Sequence, residues 1–174
     1  MFDSMMRHPT VKALLATAVF ALLGAWTFLY RAPQTPELLP QAIFYVILVI
    51  NTFLSIQFYS RIQPQNFSQQ AMDAALFITY AALALSLGRP LEFVLANVCL
   101  FALAPFKYML MVGLIPYDTL LKRKIRIDSS GTALSVLILI ATLAGYALPG
   151  AWALAALFAI ANVYLLLISP MYRL

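Results

Sequence analysis

The sequence predicts an all-α membrane protein, a six-transmembrane-helix bundle with both termini cytoplasmic. Three observations predict it. Of 174 residues, 64% are hydrophobic and only 10% are charged, whereas a soluble domain has roughly 45–50% apolar and about 25% charged residues. A chain this short and this apolar cannot hide its surface from water and must take lipid as its solvent. Six apolar runs, about 12–30, 40–60, 72–88, 91–112, 131–148 and 151–171, reach or approach the roughly 20 residues needed to cross a bilayer core. The third observation is the placement of charge. Of the 11 Lys and Arg residues, all but Arg31 and Arg89 would fall on one side of such a bundle, which the positive-inside rule makes the cytoplasm. An inner-membrane, multi-pass protein forming one domain over 1–174 is the expectation.

The elements follow in order. MFDSMMRHPTVK is a positively charged start ahead of a long apolar run, and no small-x-small cleavage site follows. The run therefore reads as an uncleaved first span. Ala-Pro-Gln-Thr-Pro (32–36), Gln-Pro-Gln-Asn (63–66) and Gly-Arg-Pro (88–90) separate the first four spans. Residues 114–130 are expected to form a basic cytoplasmic loop, with Asp128, Ser129 and Ser130 as caps for span 5. Pro149-Gly150 is the expected turn of a tight hairpin joining spans 5 and 6.

Two segments share a polar signature. FVLANVCLFALAPFKY (93–108) matches FAIANVYLLLISPMYR (158–173) at Phe93/Phe158, Ala96/Ala161, Asn97/Asn162, Val98/Val163, Leu100/Leu165 and Pro105/Pro170. Span 2 follows in part, with Asn51 and Leu54, and with Arg61 where Lys107 falls. A threefold helical-hairpin repeat is one explanation, and chance in a small apolar alphabet is the other. Asn51, Ser55, Asn97 and Asn162 are expected to form an intramembrane polar cluster. Such groups either fix helix register, at roughly 0.6 to 2 kcal/mol each, or line a solute path. Pro105 and Pro170 are the expected helix breaks near the ends of spans 4 and 6.

At the cytoplasmic boundary Asp73 opens span 3, and an interfacial ion pair with Arg61 or Lys107 is expected. Arg89 and Glu92, three apart, should pair across one helical turn. Ala84/Gly88 and Ala141/Gly145 have the four-residue spacing that permits close helix approach. Lys122, Arg123, Lys124 and Arg126, interleaved with Ile125 and Ile127, suit binding to anionic headgroups or to a partner subunit.

The catalytic inventory is thin. Cys99 is the one cysteine and His8 the one histidine. There is no HExxH, no paired intramembrane aspartate, no Gly-x-Ser-x-Gly and no phosphate-cradling glycine loop. No catalytic residue, metal or cofactor is expected, and the basic residues lack the aromatic interleaving of a nucleic-acid surface. Three functions remain. The first is a non-catalytic accessory or scaffold subunit, contacting a membrane protein partner, a second copy or anionic lipid through its cytoplasmic face. The second is a small-solute carrier or channel with a polar path between spans 2, 4 and 6. The third is an interfacial lipid-modifying enzyme, for which Asp73, Lys107 or Asp118 would have to converge. The sequence favours the first. A continuous polar cavity would favour the second.

Overall fold

The computed structural model of the chain describes residues 8–64 and 66–168. Among these residues there are six α-helices and no strand: α1 (Pro9–Tyr30), α2 (Leu38–Tyr59), α3 (Phe67–Leu85), α4 (Pro90–Met109), α5 (Asp118–Leu143) and α6 (Ala147–Val163). A π-helical turn, Tyr164–Ile168, continues α6. Five helices, all but α3, are long and apolar enough to cross a membrane. The difference from the six expected spans lies in the first two turns of α3, where Ser68, Gln69, Gln70 and Asp73 dilute the apolar residues.

Local chemistry sets the helix starts. Pro9 and Pro90 occupy the first turns of α1 and α4, where a missing N–H costs no helical hydrogen bond. Asn66 caps α3, its side-chain oxygen accepting from Gln69 N at 2.9 Å.

Two sequence expectations are corrected. Residues 118–130 are not a loop but the first half of α5, a continuous helix of 26 residues. At 1.5 Å per residue α5 is about 39 Å long, about 9 Å more than a hydrocarbon core of about 30 Å. Its basic first turns can thus stand outside lipid without ending the helix. Asp128, Ser129 and Ser130 are therefore mid-helix residues and cap nothing; Ser130 Oγ donates to Arg126 O at 2.9 Å instead. The α5–α6 turn lies at residues 144–146, where Gly145 adopts φ +91°. Pro149 and Gly150 sit in the first turn of α6, a position proline tolerates. Gly88 and Gly145 accordingly end helices rather than pack against them.

The helices close into a ring. Each packs mainly against two others, in the order α1–α2–α6–α5–α4–α3 and back to α1. Leu22, Ile78, Leu137 and Ile160 are exposed on its outside, as a lipid-facing surface requires. One end of the ring is sealed by a packed core that includes Leu38, Phe44, Tyr45, Leu83, Ala84, Leu87 and Phe93. There Gly88 N donates to Gln41 Oε1 at 2.7 Å and Thr35 Oγ1 donates to Gly88 O at 3.1 Å, tying the α1–α2 and α3–α4 connections together. Gly24 lets α1 meet the Tyr45 ring of α2, whose hydroxyl donates to Phe20 O at 2.9 Å. At the other end a second, smaller cluster of Phe58, Tyr59, Tyr108, Met111 and Leu121 packs the ends of α2 and α4 against the start of α5.

Candidate functional site

All six helices line one chamber of about 530 Å³, within the roughly 300–1,000 Å³ of ligand pockets. Along α2 it extends from Leu48 to Ser60, about 18 Å at helical rise. It thus runs from mid-bundle to the end where α1, α3 and α5 begin and where α2, α4 and α6 finish. Its deep wall is apolar: Phe20, Leu48, Leu100, Phe101, Leu154 and Phe158. Its other end carries Lys12, Gln63, Asp73, Lys107, Lys124 and Asp128.

The polar end is built largely by α5. Leu121, Lys124, Asp128, Ser135 and Ile138 are its buried residues, and with Gly131 they recur at alternating intervals of three and four, one face of a helix. Lys124 and Asp128 are only 6% and 3% exposed. Their side chains meet across one turn, Lys124 Nζ donating to Asp128 Oδ1 at 2.6 Å. The same ammonium stands 5.5 Å from the centroid of the Tyr108 ring. Lys124 therefore points inward, which corrects its expected role at lipid headgroups or a partner. Lys122 and Arg126 are exposed and Arg123 is half-buried; a helix turning about 100° per residue cannot present all four on one face.

The expected polar cluster divides. Asn51, Ser55 and Asn162 line the chamber, whereas Asn97 does not. Asn97 is fully buried in the α4–α5 seam, its Nδ2 donating to Ser135 Oγ at 2.9 Å. Ser135 gives its own proton to Gly131 O, 2.8 Å away, so it can only accept from Asn97. Asn162 Nδ2 donates to Phe158 O on its own helix at 2.8 Å. Because a carbonyl only accepts, this bond fixes which atom of the amide is Oδ1. Asn162 Oδ1 and Asp128 Oδ2 are buried and have no hydrogen-bond partner in the chain. Tyrosines bridge other walls: Ser55 Oγ and Tyr108 Oη are 3.1 Å apart, and Thr52 Oγ1 and Tyr80 Oη are hydrogen-bonded at 2.6 Å.

Pro105 does not break α4, which continues to Met109. Its missing N–H would leave Phe101 O without its helical donor. Thr132 of α5 supplies one, its Oγ1 donating to Phe101 O at 2.6 Å. Beside this bond Gly131 admits the Phe101 ring, which a Cβ would approach to 2.7 Å. Pro170 lies outside the described residues.

At the chamber mouth Asp73 accepts from Lys107 Nζ at 2.5 Å and from Gln63 Nε2 at 2.9 Å. Lys107 is thus the partner; Arg61 is exposed and forms no ion pair among the described residues. Arg89 and Glu92 pair at 3.1 Å as expected. Asp118 accepts from Gly113 N at 3.1 Å and does not line the chamber with Asp73 and Lys107. No group of three His, Cys, Asp or Glu residues suited to a metal occurs among the described residues.

Sequence reasoning missed Asp128, Tyr108 and Tyr80 as site residues. The signal for Asp128 was present: a Lys and an Asp four apart, inside a stripe of three- and four-residue intervals that carries through to Ile138. It was masked by reading the segment as a loop. For the tyrosines no local signal exists.

Chemically, the chamber pairs an aromatic, apolar body with a polar end that holds a neutralised ion pair and two unused acceptors. That arrangement suits an amphipathic small molecule. No protein-family model, curated protein or solved structure matches the chain.

Proposed function

We propose that this chain is a six-span inner-membrane protein that binds a small solute inside its helix ring, as a carrier does. The observation that carries the reading is the chamber of about 530 Å³ with the buried Lys124–Asp128 pair in its wall. A buried ion pair in a membrane protein is costly and commonly marks a substrate or ion path. In this reading α3 is the sixth span. Of its polar residues Asp73 and Tyr80 line the chamber and Gln69 is buried, while Ser68 and Gln70 lie in the first turn, where a span meets the interface. Both termini are cytoplasmic by the distribution of Lys and Arg, so the polar end of the chamber faces the cytoplasm. The role is non-catalytic.

The accessory-subunit reading keeps the exposed Lys122 and Arg126 as a surface for a partner or anionic lipid, but gives no use to a polar chamber. The test is purification in mild detergent, followed by mass spectrometry of small molecules released on denaturation. A compound near one per chain is expected in the wild type. It should be absent from Ala161→Trp, which fills the chamber from α6, while that variant still elutes as a folded species. Absence of any compound, with a stoichiometric protein partner that leaves when Lys122 and Arg126 are neutralised, would establish the subunit reading instead.

A further inference from the structure

Resting on the chamber as a binding site, we propose that its ligand is an amphipathic amine, whose ammonium head is received by Asp128 and Asn162. The two residues are equidistant in sequence from Gly145, which turns the α5–α6 hairpin. They therefore stand at one level on adjacent antiparallel helices, whose axes are typically 8–10 Å apart. Both side chains line the chamber and both are more than nine-tenths buried. Each keeps one oxygen without a donor: Asp128 Oδ2 and Asn162 Oδ1.

A buried acceptor with no donor is costly, at about the desolvation penalty of the group. Two such acceptors at one level call for a hydrogen-bond donor, and the Ser60 hydroxyl, also buried without a partner in the chamber wall, can accept from one as well as donate. A carboxylate or phosphate head would bring only further acceptors. The cation best placed to attract one, Lys124, is already committed to Asp128 Oδ1 and the Tyr108 face, and Lys12 stands at the mouth. An ammonium carries three donors, so it can serve both oxygens at once, sharing the Asp128 carboxylate with Lys124 through its second oxygen. Tyr59 lines the same end, and an aromatic ring favours a cation. Phe101, Phe158 and Leu154 then provide the apolar wall for the body of the molecule.

The test uses three probes on one skeleton, 4-phenylbutylamine, 4-phenylbutanol and 4-phenylbutyrate, titrated calorimetrically into the detergent-purified full chain. The amine is expected to bind saturably and at least tenfold more tightly than the alcohol, with the carboxylate weakest. Asn162→Leu leaves the Lys124–Asp128 pair intact and should weaken the amine about tenfold or more, the usual worth of a hydrogen bond to a charged group. It should change alcohol binding much less. Asp128→Asn should erase the preference for the amine; should that variant not fold, Asn162→Leu decides alone. Binding led by the carboxylate, or an amine affinity that Asn162→Leu leaves unchanged, overturns the head-group assignment while the chamber stands. No binding of any probe, together with no co-purified compound, overturns the chamber reading itself.

Discussion

Replacing Thr132 by valine removes one hydroxyl at nearly constant shape. That hydroxyl donates to Phe101 O at 2.6 Å, the carbonyl that Pro105 cannot serve. Without it a helix carbonyl is left unpartnered between α4 and α5, at a cost of about 1–3 kcal/mol. For a chain of this length each kcal/mol moves the melting midpoint by about 2–4 °C, so a fall on the order of 5 °C is expected. The assay is thermal unfolding in a mild detergent, followed by the fluorescence of Trp26 and Trp152. The decisive comparison is the same change made in a Pro105→Ala background, where residue 105 again offers an N–H to Phe101 O. There the cost of Thr132→Val should fall below half, a non-additivity expected of two groups serving one acceptor. Equal costs in the two backgrounds would refute the reasoning, because Thr132 would then be stabilising something other than the carbonyl that proline frees.

Lys124→Met leaves Asp128 buried with its charge uncompensated and should cost about 3–5 kcal/mol, whereas Lys124→Met with Asp128→Leu should recover most of it; melts that fall equally for both would deny the coupling. By contrast Arg89→Ala, at a pair about half exposed on both sides, should cost no more than about 1 kcal/mol. Gly24→Leu places a Cβ 2.3 Å from Tyr45 Cε1 and should cost about 1–3 kcal/mol by overpacking, read as a lowered midpoint; an unchanged midpoint would show that the α1–α2 contact is not tight. Gly88→Ala and Gly145→Ala both force a side chain to positive φ, about 1–2 kcal/mol. Only at Gly88 would the new Cβ also meet backbone, 2.6 Å from Pro33 O, whereas nothing lies within 4 Å at Gly145. Gly88→Ala should therefore lower the midpoint clearly more, and the reverse order would contradict the geometry of that turn.

The membrane-type composition, the all-α architecture, the approximate positions of the helices other than the first half of α5, and the Arg89–Glu92 pair were legible in the residues alone. These depend on quantities that accumulate locally: apolar run length against a bilayer, proline and glycine between runs, and charges one turn apart. The misread segments are those where two local signals conflicted. Lys122 to Arg126 argued for solvent, but α5 is long enough to place them outside lipid and remain helical. Pro149-Gly150 argued for a turn, but a proline in a first helical turn gives up no hydrogen bond. The chamber was beyond sequence reasoning for a different reason. In a soluble protein the apolar stripe of a helix marks its inner face, whereas helices in lipid are apolar on every side, so composition does not say which face turns inward. Only the ring order, with α2 against α6 and α1 against α3, brings Asp128, Asn162 and Tyr108 to one chamber. The same order assigns Asn97, identical in local pattern to Asn162, to a helix seam. The sequence determined that this chain forms helices long and apolar enough for a membrane; tertiary packing decided which of its polar groups face each other, because that depends on contacts between residues far apart in the chain.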